Sequence, residues 1–160
     1  MADELGLNEK IHRVVNKYSP NIVRVAFTFV KNISDAEDIA QDVFLAYFQK
    51  APAFHDEEHE KAWLCRVAIN KAKDYLKSSW KKRVVPLRED LSYIPSQDFT
   101  LLRTVLDLEE IYRLPIYLYY FNDFSIREIA GMLRINASTV GTRLDRGRKI
   151  IKQKLGDCYE

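Results

Sequence analysis

"SIREIAGMLRINASTVGTRLDRGRK", residues 125–149, decides how the C-terminal part of this chain folds. It divides into two helical stretches, about 125–133 and 137–155, separated by a short turn. "SIRE" at 125–128 is a capping box: the Ser125 side chain accepts from a backbone amide while Glu128 reaches back. A helix-turn-helix needs a small residue where its helices cross, a tight turn, and apolar anchors on the second helix. Ala130 is the small residue, and Ile129, Leu133, Ile135 and Val140 fall at the anchor positions. One residue of such a turn tends to adopt positive φ. Arg134 stands there at a cost of about 1 kcal/mol relative to glycine. The second helix then offers Ser138, Thr139, Thr142, Arg143 and Arg146, residue types that reach base edges and phosphates in a major groove. The basic run beyond, with Arg148 and Lys149, fits phosphate contact. The alternative is a helical hairpin with a solvated basic face.

Outward from this stretch, glycine and proline are scarce and the apolar period is helical almost throughout. Further helices are expected at about 99–112 and 114–121. "RVVPLREDLSYIPSQD", 83–98, holds two prolines and no sustained period, and reads as a flexible linker. Upstream, residues 8–18 and 20–31 read as two helices, with Pro20 in the first turn of the second. "SDAE" at 34–37 reads as another capping box, opening a helix to about Gln49 with Ala36, Ile39, Ala40, Val43, Phe44 and Tyr47 on one stripe. "APAFHDEEH", 51–59, is a loop, and a long helix runs from about Glu57 to Lys81. The expected fold is all-α: two small helical domains, 1–82 and 99–160, joined by the 83–98 linker.

Hydrophobic residues at 47% and aromatics at 12% exclude a disordered chain. Net charge is only +2, so its distribution matters more than its sum. Residues 35–60 are acidic except for Lys50. Residues 71–83 carry Lys71, Lys73, Lys77, Lys81, Lys82 and Arg83 against Asp74. Residues 143–154 are basic except for Asp145. Two basic blocks separated by acidic ones imply two polyanion contacts and a cationic partner. Cys65 and Cys158 have no metal or disulfide spacing and read as reduced thiols. No basic leader precedes an apolar run at the N-terminus, and no apolar stretch approaches the ~20 residues of a membrane span, so a cytoplasmic location is expected. Three scattered histidines, unpaired carboxylates and the lack of a phosphate-binding glycine loop point to no enzyme, no metal and no cofactor.

In "AWLCRVAINKAKDYLKSSWKKR", 62–83, the residues Asn70, Lys73, Asp74 and Lys77 share one helical face. Asparagine can read a base and lysines can track a backbone. Phe54, Tyr75 and Trp80 could stack on unpaired bases or pack at the surface. Trp63 is expected in the core. On the helix of residues 34–49, Asp38, Gln41 and Asp42 form an acidic face that fits a basic protein surface or is simply solvated.

Together these pieces resemble the sigma-70-like sigma factors of RNA polymerase, of the small extracytoplasmic-function (ECF) type. "SDAEDIAQDVFLAYF" is similar to the family's region 2.2, which binds core polymerase. "AWLCRVAINKAKDYLKSSWKKR" is similar to regions 2.3–2.4, with Trp63, Leu64, Ile69, Asn70 and Asp74 in pattern. Residues 114–155 are similar to region 4, and the length leaves no room for the larger domains of housekeeping sigma factors. The resemblance implies that Asp35, Asp38, Gln41 and Asp42 bind the β′ clamp helices, with the β flap a further polymerase contact. It implies that Phe54, His55 and Asn70 hold a base flipped from the −10 strand, with Lys73, Asp74, Lys77, Trp80, Lys81 and Lys82 around it. It implies that Ser138, Thr139, Thr142, Arg143, Arg146, Arg148 and Lys149 contact the −35 duplex. Promoter DNA, core polymerase and an anti-sigma factor are the expected partners, with no small-molecule substrate. Two departures stand out. Asn136-Ala137-Ser138-Thr139-Val140 replaces the common Pro-x-Gly-Thr-Val, with Asn136 suited to the N-cap. Lys77 and Ser78 stand where arginine is common, and lysine lacks the planar bidentate fork. The competing readings are a stand-alone helix-turn-helix regulator dimerising through residues 1–82, and a protein-interaction adaptor with no role at DNA.

Overall fold

The structure, a computed structural model, describes residues 2–79 and 99–159. Among them are seven helices and no strand, arranged in two compact units. The expected linker at 83–98, and Trp80, Lys81 and Lys82, lie outside the described residues.

The first unit holds α1 (Ala2–Val30), α2 (Ile33–Lys50) and α3 (Glu57–Ser79), each packed on the other two. The two expected N-terminal helices are one helix, with Pro20 inside it. The reason is the apolar stripe. Val14, Tyr18, Ile22, Val25 and Phe29 are all buried and run unbroken past the proline. Pro20 and Asn16, whose carbonyl loses its amide partner to the ring, both stand on the exposed side. The cost of the missing hydrogen bond therefore falls in solvent, and burial on both sides outweighs it.

Lys31 closes α1 in the left-handed region (φ 51°). The next helix is capped by Asn32, not by the Ser34 box. Asn32 Oδ1 accepts from the Asp35 amide at 3.0 Å, two residues earlier than the sequence pattern indicates. Both residue types cap well, and the reversal at Lys31 decides between them. The expected α2 stripe is buried in full, joined by Ala46. On α3, Leu64, Cys65, Ala68, Ile69 and Ala72 complete the core. Asn21 Nδ2 lies 3.7 Å from the Cys65 sulfur, and burial pushes that thiol up to about 12.

The second unit holds α4 (Phe99–Leu106), α5 (Glu110–Tyr120), α6 (Ile126–Leu133) and α7 (Ala137–Tyr159). The expected helix over 99–112 is broken at 107–109, and α5 begins four residues before the expected 114. Leu108 is buried within the break. Arg113, itself 5% exposed, donates from Nη1 towards the carbonyls of Leu108 (3.3 Å) and Leu106 (3.5 Å). It satisfies helix-end carbonyls that would otherwise be orphaned. Tyr117, Leu118 and Phe124 are core, whereas Tyr120 is exposed.

Helix α7 packs on both α5 and α6. Gly147 permits the closest approach: a Cβ there would meet Ile116 Cγ1 at 2.9 Å and Tyr112 Cβ at 3.5 Å. Gly141, on the same helix, has no such neighbour within 4 Å. The two glycines should therefore respond oppositely to alanine. Gly147→Ala is expected to destabilise the second unit by about 1–2 kcal/mol, overpacking exceeding the gain in helix propensity. Gly141→Ala is expected to stabilise it by about 0.5–1 kcal/mol. Urea unfolding of the two variants measures both.

Candidate nucleic-acid and polymerase interfaces

Three faces carry the predicted site residues. The first is the outer side of α2. Asp38 and Asp42 stand one turn apart, both exposed, with exposed Gln41 beside them. Asp35 is half-buried at the first turn of the helix, where a carboxylate favours the helix dipole. The structure adds Leu45, 58% exposed and one turn beyond Gln41 and Asp42. It places one apolar side chain at the edge of an otherwise acidic and polar surface. The sequence signal was present, since Leu45 falls off the buried stripe.

The second face is on α3 and the loop before it. Asp56 caps this helix, its Oδ1 accepting from the His59 amide at 2.8 Å. Phe54 is half-buried in an aromatic cluster. Its ring stacks on Tyr47 (5.9 Å, 15°) and meets Trp63 (5.9 Å) and His59 (5.3 Å) edge-on. Trp63 is thus half-buried at the margin of the cluster and not in the core where the sequence placed it. Helical spacing puts Trp63, Asn70, Asp74 and Lys77 on one side of α3, a strip about 21 Å long. Asn70 and Lys73 are half-buried, and Asp74, Lys77 and His55 are exposed. His55 stacks on His59 at 5.5 Å.

Two clefts flank Phe54. One of about 300 Å³ is lined by Arg13, Lys17, Tyr18, Phe54, Asp56 and Glu60 among others. The other, about 400 Å³, is lined by Lys10, Arg13, Tyr47, Phe48, Pro52 and Phe54 among others. The basic residues of α1 at these clefts were missed by the sequence reading. Their spacing of three and four, Lys10, Arg13 and Lys17, puts them on one side of the helix. What brings them to Phe54 is the tertiary packing.

A carboxylate fixes this corner. Glu60 accepts from the Tyr18 hydroxyl through Oε1 and from the Tyr47 hydroxyl through Oε2, each at 2.7 Å. Lys17 pairs with Glu57 at 2.6 Å beside it. Burial, and then the hydrogen bond to Glu60, push both phenols up, Tyr47 to about 12.

The third face is α7 in its helix-turn-helix. Ser125 and Glu128 form the reciprocal capping box, with bonds of 3.1 and 3.2 Å. Arg134 takes the left-handed turn (φ 57°, ψ 45°), and Ile135 N–H reaches the Ala130 carbonyl at 3.1 Å. Ile129 and Val140 are fully buried anchors, while Leu133 and Ile135 are half-buried. Helix α7 begins directly after Asn136, whose carbonyl accepts from Val140 N–H at 3.1 Å. Ser138, Thr142, Arg146 and Lys149 point outward, and Thr139 and Arg143 are half-buried on one flank. Arg148 lies on the opposite flank, its Nη1 donating to Tyr120 Oη at 3.0 Å.

One unit presents a helix-turn-helix, the form of a DNA-binding protein, and the other presents an acidic patch beside an aromatic and basic strip. Residues 14–82 match the family described as Sigma-70 region 2, and residues 99–151 match Sigma-70, region 4. The chain is similar to the ECF RNA polymerase sigma factor SigW of Bacillus subtilis, at 27% identity over 90% of this chain and 88% of that one. Its fold is similar to the sigma factor RpoE of Bartonella quintana, solved with the anti-sigma factor NepR (TM-score 0.71, 19% identity, 92% of this chain and 98% of that one). It is also similar to CnrH, solved with the cytosolic domain of CnrY (TM-score 0.64, 22% identity, 96% and 91%). The chain belongs to the sigma-70 family and is an ECF-type sigma factor, a promoter-directing subunit of RNA polymerase. Among the described residues, no helix is long and apolar enough to cross a membrane.

The Glu60 corner yields a test with a defined sign. Both phenols hold their protons more tightly in the fold than in the unfolded chain, where the ordinary value is about 10. Their contribution to stability is complete below pH 10 and is lost as pH rises towards 12. Tyr18→Phe with Tyr47→Phe should flatten that alkaline decline. Glu60→Ala should cost about 2–3 kcal/mol at neutral pH, because two hydrogen bonds to a charged acceptor are lost. Urea unfolding at pH 8 and pH 11 reads both effects.

Proposed function

We propose a division of labour among the three faces. Residues 1–82 form the module that binds core polymerase and opens the −10 element, and residues 99–160 form the module that reads the −35 duplex. Asp38, Gln41 and Asp42, with Leu45 as an apolar contact at their edge, dock on the β′ clamp helices. Asp35 contributes from the first turn of α2. A base extruded from the −10 strand lodges beside Phe54 and His55, within reach of Asn70. Extrusion costs a few kcal/mol, offset by stacking and hydrogen bonds in the cleft. Lys73 and Lys77 follow the strand backbone with Asp74 beside them, and Trp80, Lys81 and Lys82, outside the described residues, contact the same strand. Arg13 and Lys10 add positive charge on the far side of Phe54.

On the second module, Ser138, Thr139, Thr142 and Arg146 meet the −35 bases, with Arg143 beside them. Arg148 and Lys149 take phosphates, and the hydroxyl of Tyr120 sets the direction of the Arg148 guanidinium. Catalysis belongs to the polymerase, in the cytoplasm. An anti-sigma factor restrains the protein, as NepR and CnrY form complexes with the two structural relatives. The observation that carries this reading is the pairing, in one chain, of the helix-turn-helix face with the aromatic and basic strip on α3. A promoter has two elements, and a stand-alone regulator needs no second strip.

Run-off transcription with purified core polymerase tests it. Discrete transcripts should start only when this protein is added. Asp38→Arg combined with Asp42→Arg should reduce them at least tenfold, while Phe54→Ala should lose promoter opening and keep polymerase binding. Unchanged transcription from the double-arginine variant would remove the proposed role of α2.

A further inference from the structure

The outward face of α7 is not marked by its arginines alone. The buried Val140, Leu144 and Gly147 fix the inward side. At 100° per residue, the side opposite them holds Ser138, Thr142 and Lys149, flanked by Asp145 and Arg146, all exposed. Arg143 is turned towards one flank and half-buried, and Arg148 is tied to Tyr120 on the other. Asp145 is thus exposed on this face, to one side of Thr142 and Lys149, and is the acid in an otherwise polar and basic row.

Its spacing matters as much as its direction. Residues 138, 141, 142 and 145 are related as i, i+3, i+4 and i+7, the spacing at which a single helix lying in a major groove presents side chains to successive bases. At the second of these positions Gly141 has no side chain and nothing within 4 Å, which leaves room for close approach. A carboxylate among phosphates is repelled unless it meets a donor. In the major groove the donors on base edges are the cytosine N4 and adenine N6 amino groups. Adenine sets its N7 acceptor beside that donor, which disfavours an anion, whereas cytosine sets none there. Lys149 Nζ lies 3.2 Å from Asp145 Oδ2, so the carboxylate has a counter-charge that also reaches towards the backbone.

We propose that Asp145 is a specificity-determining residue of the −35 module, its carboxylate accepting from the N4 amino group of one cytosine. At that position it rejects guanine and thymine, whose edges present acceptors. This rests on the reading that α7 lies in the −35 major groove.

The test uses the full chain with core polymerase on a promoter library randomised across the −35 element, with the transcribed sequences counted. The wild type should favour a C·G pair at one position by about tenfold. Asp145→Ala should level that position alone. Asp145→Asn should shift it towards adenine, to which asparagine bonds through N6 and N7. Lys149→Ala should keep the base profile and lower the salt slope by about one. Coincident profiles for wild type and both Asp145 variants, or a uniform gain on all sequences, would overturn the proposal. A triple Ser138→Ala, Thr142→Ala, Arg146→Ala control separates the two readings. If its profile also matches that of wild type at every position, α7 is not the reader and both readings fall together.

Discussion

The carboxylate of Glu60 is the point on which the first unit turns. Its two oxygens take one hydroxyl from α1 and one from α2, while its own backbone belongs to α3. Apolar packing alone brings three amphipathic helices together but sets their relative slide loosely. A charged acceptor shared by two phenols allows little slide. The ring of Tyr47, held at its far end by this bond, is the surface on which Phe54 stacks. The α2 helix and the clefts beside Phe54 are therefore registered against each other by one side chain. On the proposed division of labour, DNA opening and polymerase binding would be geometrically coupled.

The second unit solves the same problem at its joints. Its helices are short, and their directions are set at the joints. Arg113 closes the joint between α4 and α5 from inside, and Arg134 bends the chain between α6 and α7 through a left-handed residue. Gly147 then lets α7 lie close against α5. Short helices with fixed joints hold the reading helix rigidly on a small core, and a rigid reader loses less entropy on binding than a loose one.

Much of this was legible because it depends on local pattern. The α2 stripe, the Ser125 capping box and the turn at Arg134 each follow from spacing within a dozen residues. The misread features are those where tertiary packing outbids a local rule. Pro20 favours a helix start, but the stripe from Val14 to Phe29 continues across it. Ser34 and Asn32 both cap well, and Lys31 chooses. The expected helix over 99–112 is interrupted at 107–109, where Leu108 turns into the core and Arg113 takes the free carbonyls. Of the site, charged and polar faces at three- and four-residue spacing could be read directly. The Glu60 anchor joins residues 42 apart in sequence, and no periodicity reports it. Trp63 was expected in the core, whereas it stands half-buried against Tyr47 and Phe54.

Cys65 has a consequence of a different kind. Its sulfur lies at the meeting of α1 and α3, fully buried, with the thiol pushed up to about 12. Burial keeps the proton on the sulfur at neutral pH, and the thiolate is the form that peroxides and electrophiles attack. Oxidants that modify exposed thiols in a stressed cell would therefore pass this residue by. The first unit keeps the sulfur in its core out of reach of the chemistry that damages reactive cysteines elsewhere.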